Sequence, residues 1–311
     1  MKYVQHINEL IRTTIDNSNP IVLYGQNISA GSCISGLTRG LKNGEKRLVI
    51  NTPNIESTQV GIGFGLMLSG VSSVFFMKQQ DFLLLGIDHL VNTYNFVRIN
   101  EPSASFTIVP VVVDSGYEGI QSSLNNFSDF CSIARIAGYA ITNRHDADHI
   151  VRTHLVSPGF RIIGVSQRLF QTEILSCEND PTVYNNGEIF QYYEGADITI
   201  VCFNFSFPQG MKLREELATL GLSSSLFSVN VMTPIDWLHI LRDVSRTKKL
   251  IVIDDSKSVN RSCYHLTTEV YRECSIDRVL TLTRDVTDEC LRPCSEEFSI
   301  DTNSIMKTLR Q

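Results

Sequence analysis

The stretch that decides the fold runs from Arg47 to Asn95 and reads RLVINTPNIESTQVGIGFGLMLSGVSSVFFMKQQDFLLLGIDHLVNTYN. A run rich in β-branched residues, Arg47–Asn51, ends in a polar turn, and a helical pattern follows over Ser57–Leu68. A second apolar strand, Ser72–Met77, leads into another helical pattern over Asp81–Asn95. Strands that alternate with helices in this way predict βαβ units and a mainly parallel sheet.

The same alternation continues on both sides of that stretch. Further strands are predicted at Ile21–Gly25, Phe106–Asp114, Gly138–Thr142, Phe160–Ser166, Ile198–Cys202, Leu226–Val231, Leu250–Ile253 and Val279–Leu282. Further helices are predicted at Asp146–Leu155, Gln209–Leu220, Pro234–Thr247 and Cys263–Cys274. The segment Ser176–Asp197 is rich in Asn, Asp, Pro and Gly, and we interpret it as a crossing between domains. The sequence therefore predicts an α/β protein with two doubly wound domains, residues 1–185 and 186–311.

Composition excludes several classes of protein. The chain has 311 residues, of which 42% are hydrophobic and 19% charged, as in a globular protein of two ordinary domains. The net charge of −6 gives no electrostatic reason to expect nucleic acid as a partner. No apolar run approaches the ~20 residues of a membrane span. Eight cysteines without a CxxC pair, behind a polar N-terminus, predict a cytoplasmic protein with reduced thiols.

Three short patterns have an ordinary structural explanation. The glycines of GIGFG, Gly61 to Gly65, do not form GxGxxG, and we interpret them as small residues that permit close helix packing. His145 and His149 are spaced to place two metal ligands on one helix face, but a solvated first helical turn is the favoured interpretation. Cys290 and Cys294 have no second pair of ligands and are expected to be free thiols.

A carboxylate and an aromatic residue stand out because of where they fall. Glu56 follows one predicted strand and Phe82 follows the next. Taken singly, Glu56 is a helix N-terminal acid and Phe82 a core residue. Taken together, both face the crevice at the carboxyl ends of parallel strands, where α/β sheets bind ligands.

The order of these motifs resembles the beta chain of the thiamine-diphosphate-dependent decarboxylating component of 2-oxoacid dehydrogenases, a relative of transketolase. The matching motifs are, in chain order, TPxxE (Thr52, Pro53, Glu56), a small-residue helix (Gly61 to Gly70), DF (Asp81, Phe82), ID with a following Asn (Ile87, Asp88, Asn92), a Pro-Asp pair (Pro234, Asp236) and a turn (Arg246, Thr247). The resemblance implies a transketolase-like pyrimidine-binding domain followed by a transketolase C-terminal-like domain.

The resemblance also implies a cofactor site that two chains share. Glu56 would protonate N1′ of the thiamine diphosphate aminopyrimidine, and Phe82 would stack on that ring. The GDG motif by which the family holds the diphosphate through Mg²⁺ is absent from the sequence. An alpha-type partner chain would therefore hold the Mg²⁺, in an α2β2 assembly with self-association through the C-terminal domain.

The reaction class follows from the same resemblance, with one departure. The family implies either decarboxylation of a 2-oxo acid with acyl transfer or transketolase-like transfer of a two-carbon unit. Asn125 falls where the family has a catalytic histidine, or, with a small gap, Ser122 or Ser123 does. An asparagine does not titrate near neutral pH, which favours an acceptor other than a lipoyl arm. The alternative is a non-catalytic structural or regulatory subunit of such a complex.

Overall fold

The first domain is built on six parallel strands. The computed structural model describes residues 1–17, 20–120, 123–232, 235–284 and 298–310. The strands are β1 (Ile21–Gly25), β2 (Arg47–Asn51), β3 (Ser72–Met77), β4 (Ser105–Val112), β5 (Gly138–Ile141) and β6 (Gly159–Ser166). They lie in the order β2-β1-β3-β4-β6-β5. Every residue of β4 is buried, as expected of a central parallel strand with both faces covered.

Helices cover both faces of this sheet. They are α1 (Tyr3–Asp16), α2 (Glu56–Leu68), α3 (Tyr94–Val97), α4 (Phe127–Ala134) and α5 (Arg144–His154). Apolar residues of α1 and α5 share one core with the sheet, whereas those of α2, α3 and α4 form a second core on its other face. The predicted doubly wound arrangement is confirmed for this domain.

The helix predicted over Asp81–Asn95 is not continuous. A 3₁₀ segment, Gln80–Gly86, is followed by a π-helical turn, His89–Thr93, and then by α3. Gly86 lies so close to α2 that a Cβ there would come within 2.7 Å of the Val60 side chain. The periodicity marked the buried face correctly, but close packing against α2 decides the type of helix.

The second domain has a mixed sheet. Its strands are β7 (Thr182–Tyr184), β8 (Ile189–Tyr193), β9 (Ile198–Phe203), β10 (Ser224–Val229), β11 (Lys249–Asp254) and β12 (Arg278–Thr283), in the order β12-β11-β9-β10-β8-β7. The helices are α6 (Phe207–Thr219), α7 (Leu238–Thr247), α8 (Cys263–Glu273) and α9 (Thr302–Arg310). Strands β9 to β12 are parallel, while β7 and β8 add an antiparallel hairpin at one edge.

That hairpin corrects the interpretation of Ser176–Asp197 as a mere crossing. Asn185, Asn186 and Gly187 all have positive φ and form the hairpin turn, where the Gly187 N–H donates to the carbonyl of Tyr184 at 3.1 Å. Asn and Gly are the residues that such a turn requires. The predicted boundary at residue 185 falls inside this hairpin, and a boundary before Thr182 would keep it in one domain.

Several sets of contacts join the domains, of which strand pairing and a buried ion network are described first. Residues after β10 pair with the edge strand β5, since the Ala140 N–H donates to Asn230 O and the Met232 N–H to Gly138 O, both at 2.8 Å. The Asn230 amide also donates to the buried Asp146 carboxylate at 2.9 Å. These bonds extend the first sheet into the second domain.

The second set of contacts is a buried ion network. Arg168 donates to Asp114 of the first domain at 3.2 Å and to Asp255 of the second at 2.9 Å. Both carboxylates are fully buried, and Arg284 donates to the carbonyl oxygens of Asp114 and Asp255. Burial raises the pKa of Asp255 to about 7, and the charge of Arg168 acts in the opposite direction.

Among the described residues, no helix combines the length and the apolar character that crossing a bilayer would require.

The glycines of α2 provide a matched pair of predictions. A Cβ at Gly63 would lie 2.2 Å from the Phe106 ring, whereas a Cβ at Gly65 would meet no atom within 4 Å. We expect Gly63→Ala to lower the free energy of unfolding by about 1–3 kcal/mol through overpacking. We expect Gly65→Ala to raise it by about 0.5–1 kcal/mol, because alanine is the better helix former. Urea unfolding of both variants tests this; equal effects would contradict the packing assigned to Gly63.

Candidate active site

The strand order places a crevice at the carboxyl ends of β1 and β3. Strand β2 lies on one side of β1, and the next strand in the chain, β3, lies on the other side. The strand order therefore reverses at β1, and α/β sheets bind ligands at such a switch point. A cleft of about 140 Å³ opens there. Polar side chains that line it include Asn27, Lys78, Gln79, Glu118 and Gln167. The predicted crevice therefore exists and is polar.

Glu56 lies at the start of α2 and is not among the residues that line this cleft. It follows β2 through the Thr52–Pro53 turn and is only 9% exposed. Its carboxylate makes no hydrogen bond or ion pair with any described residue. The positive end of the α2 dipole stabilises a negative charge there. The oxygens of Glu56 are not among the buried side-chain atoms that lack a partner, so they are open to solvent and accessible to a ligand.

Gln59 holds the turn that carries Glu56. Its side-chain amide donates to the carbonyl of Pro53 at 3.0 Å and to the hydroxyl of Thr52, and the backbone carbonyl of Gln59 accepts from the Tyr24 hydroxyl at 2.7 Å. Gln59 is 2% exposed, so these bonds are shielded from water. Sequence reasoning missed Gln59, although a polar residue on the buried face of an apolar helix was a usable signal.

Phe82 lies beyond the end of β3, two strands away from β2. Parallel strands are spaced about 4.8 Å apart, so the ends of β2 and β3 are separated by roughly 10 Å with β1 between them. The Phe82 ring is half-buried. Glu56 and Phe82 thus follow the strands on either side of β1. Neither residue lines the 140 Å³ cleft, so their shared site stays a prediction.

Asp81, beside Phe82, is a buried acid whose environment the motif did not reveal. It is 1% exposed, and neither carboxylate oxygen accepts a hydrogen bond of ordinary geometry. Burial raises its pKa to about 6, while the nearby Leu124 N–H and the Lys257 ammonium act in the opposite direction.

Asn125 lies at the seam between the domains. It is fully buried with φ of +40°, its amide donates to Asp255 O at 2.8 Å, and its carbonyl accepts from the Lys257 N–H at 3.0 Å. Its Oδ1 has no hydrogen-bond partner among the described residues. Ser123, the alternative position, uses its hydroxyl within the loop by accepting from the Glu118 N–H at 2.7 Å. Ser122 lies outside the described residues.

The remaining sequence candidates have structural roles or lie outside the described residues. Asn143 caps α5 and forms a capping box with Asp146, so a first helical turn is present here. The prediction that this turn is solvated is wrong, because Asn143 and Asp146 are fully buried. His145 contacts Asp180 at 3.5 Å, and His149 packs against the ring of Phe190. The described residues contain no group of three His, Cys, Asp or Glu side chains placed to hold a metal. Pro234, Cys290 and Cys294 fall outside those residues.

Two α/β domains in this order, with Glu56 following β2, are the arrangement that the resemblance to beta chains of the transketolase-like class implies. The chain is 22% identical over 264 residues to the pyruvate dehydrogenase E1 component subunit beta of Staphylococcus aureus, covering 83% of this chain and 80% of that protein. It is 23% identical over 265 residues to the 2-oxoisovalerate dehydrogenase subunit beta of Bacillus subtilis, with the same coverage. No protein-family profile matches.

Solved structures show the same fold. A split-gene transketolase, described as an inactive beta4 tetramer, superposes with a TM-score of 0.75 at 12% identity, covering 98% of this chain and 96% of that one. The transketolase of Campylobacter jejuni superposes with a TM-score of 0.66 at 11% identity, and this chain spans 44% of it. The resemblance to beta subunits that the order of motifs predicted is confirmed.

Proposed function

We propose that this chain is the beta-type subunit of a split thiamine-diphosphate-dependent enzyme that cleaves a bond next to a carbonyl. The observation that carries the proposal is Glu56, a carboxylic acid at the start of α2 that is 9% exposed and makes no hydrogen bond or ion pair with a described residue. The similarity of the chain to E1 beta subunits and to a split transketolase supports the same proposal.

The residues of this chain would act on the pyrimidine half of the cofactor. When bound, thiamine diphosphate supplies a carbon acid that adds to carbonyl groups and stabilises the resulting carbanion. Glu56 would hold a proton on N1′, and Gln59 would keep the turn that carries Glu56 in place. Phe82 would supply an aromatic surface for the ring, which is worth roughly 0.5–1.5 kcal/mol beyond area burial.

A partner chain would complete the site. Large apolar side chains lie exposed near the start of α2 and the end of α3, among them Ile55, Leu85, Phe96 and Ile99, of which Ile99 is 79% exposed. Large apolar side chains that are this exposed are candidates for an interaction site. We propose that an alpha-type subunit covers this face and holds the diphosphate and Mg²⁺, in a cytoplasmic α2β2 assembly that also associates through the second domain.

Two classes of substrate are possible, and the position of Asn125 bears on which of them the enzyme uses. A 2-oxo acid with acyl transfer and a ketose donor with two-carbon transfer both fit the proposed chemistry. Because its amide is bound to Asp255 O, Asn125 would act by holding its loop at the site, and its catalytic role stays a prediction. That attachment also favours the alternative, a non-catalytic subunit of the complex.

Cofactor binding by the chain with and without its partner tests the proposal. We expect calorimetric titration with thiamine diphosphate and Mg²⁺ to detect at most weak binding to the isolated chain, because the diphosphate half of the site is absent. Adding the alpha-type chain should produce tight binding and turnover of a 2-oxo acid or a ketose phosphate. Tight binding by this chain alone would contradict the proposed division of the site, and an inactive complex would favour the alternative.

A further inference from the structure

A second cleft lies between the two domains, at the carboxyl ends of β10 and β11. Strand β9 lies between β10 and β11 in the second sheet. Because β10 and β11 lie on opposite sides of β9, the strand order reverses there and creates a switch point. The cleft has a volume of about 500 Å³, enough for a small organic molecule. Its lining includes Arg135 from the end of α4 and Trp237, Arg261 and His265 from the second domain.

The lining of this cleft includes two arginines, while the acid Glu269 lies 3.8 Å from the lining residue His265. No Asp or Glu is among the described residues that line it. Arg135 is exposed, and its guanidinium makes no hydrogen bond or ion pair with a described residue. Arg261 is only 8% exposed; it donates to the hydroxyl of Tyr264 at 2.8 Å and to the carbonyl of Arg284, but its Nε has no partner.

The first turn of α8 adds to this positive potential. The helix begins at Cys263 in the wall of the cleft, and its N-cap residue, Ser262, makes no capping hydrogen bond through its side chain. The N–H groups of Tyr264 and His265 donate to the carbonyls of Arg261 and Ser262, so this helix end contributes through its dipole, whose positive end stabilises an anion. A buried arginine with an unpartnered Nε, a free arginine and a helix N-terminus therefore converge on one cavity.

The rest of the lining is apolar and aromatic. Trp237 is 5% exposed and donates its indole N–H to His265 Nδ1 at 2.7 Å, which fixes the ring plane. Met232 and Ile235 extend the apolar surface. A ligand that satisfies both parts of the lining needs a flat apolar body and an anionic group.

We propose that this cleft binds a small organic anion, an aromatic or apolar group that carries one phosphate or carboxylate. The apolar body packs against Trp237, and the anionic group binds Arg135, Arg261 and the start of α8. Because α4 belongs to the first domain and Trp237 to the second, the ligand links the two domains. The inference does not depend on the cofactor site around Glu56, and either proposal can fail without the other.

Trp237 is the only tryptophan in the chain, so its fluorescence reports directly on this cleft. We expect phenyl phosphate and benzoate, added to the full chain, to change the tryptophan emission saturably and to raise the melting temperature. Comparing the two probes shows whether the cleft prefers phosphate or carboxylate. Benzyl alcohol, which is neutral, should produce neither effect, and added salt should weaken binding of both anions.

Two pairs of variants distinguish a specific anion-binding site from nonspecific apolar binding. Ser132 lines the cleft and is exposed, so Ser132→Asp should weaken phenyl phosphate binding at least tenfold, while the uncharged Ser132→Asn should change it less than about threefold. Arg135→Gln should weaken binding about tenfold, whereas Lys212→Gln, which removes an exposed charge from α6, should leave it unchanged. An equal response to benzyl alcohol, or unchanged anion affinity in Ser132→Asp and Arg135→Gln, would overturn the proposal.

Discussion

Replacing Glu56 with glutamine in the assembled complex is expected to slow exchange of the C2 proton of thiamine diphosphate by about 10²–10⁴-fold, the usual contribution of a positioned acid or base. Glutamine has nearly the same shape but cannot deliver a proton to N1′. Because the Glu56 carboxylate has no hydrogen-bond or ion-pair partner among the described residues, its loss should leave the fold intact. Proton exchange is measured by NMR after dilution into deuterated buffer.

The control for this variant is Glu215→Gln, which removes an exposed carboxylate from α6 of the second domain. We expect it to leave both proton exchange and stability unchanged. Thermal unfolding of Glu56→Gln should occur within a few degrees of the unsubstituted chain, which separates loss of chemistry from loss of structure. Exchange at the original rate in Glu56→Gln would remove Glu56 from the mechanism.

Replacing Arg168 with methionine is expected to lower the free energy of unfolding by about 3–5 kcal/mol, the usual cost of breaking a buried ion pair. Arg168 pairs with Asp114 and Asp255, whose side chains are fully buried. Methionine fills much of the volume but leaves both carboxylates without this cation. Urea unfolding measures the loss, and Arg152→Met is the control, because the exposed Arg152–Asp148 pair at 3.7 Å should contribute less than about 1 kcal/mol.

The pH dependence of the Arg168 effect has a definite sign. Burial raises the pKa of Asp255 to about 7, so its ionisation destabilises the folded chain increasingly as pH rises from the unfolded pKa towards 7. The charge of Arg168 lowers the pKa of Asp255, so this pKa is higher in the variant than in the unsubstituted chain. The destabilisation by Asp255 therefore continues to a higher pH in the variant. The loss of stability should therefore be greater at about pH 8 than at about pH 6. A loss that does not change with pH would contradict an electrostatic role for Arg168.

Local patterns determined most of the fold and the first elements of the site. The central strands are short, apolar and bounded by turns, so their positions follow from residue order alone, and β1, β2 and β3 lie where the sequence predicts them. Glu56 and Phe82 could be placed for the same reason: each follows a strand, and the carboxyl ends of parallel strands meet at one edge of a sheet. The β7–β8 hairpin was missed because an Asn-Asn-Gly turn was interpreted as part of a linker.

Tertiary structure alone decided the environments of the polar residues. Nothing within a few positions of Asn125 or Arg168 indicates that they meet Asp255, which is 130 and 87 residues away along the chain. Likewise, Arg135 and Arg261 share a cleft only because the two domains pack together. The sequence by itself determined where strands end and which side chains follow them, since hydrophobic periodicity is local. Which of these side chains are buried, paired or left without a partner depends on contacts between distant segments, and these form only when the two sheets come together.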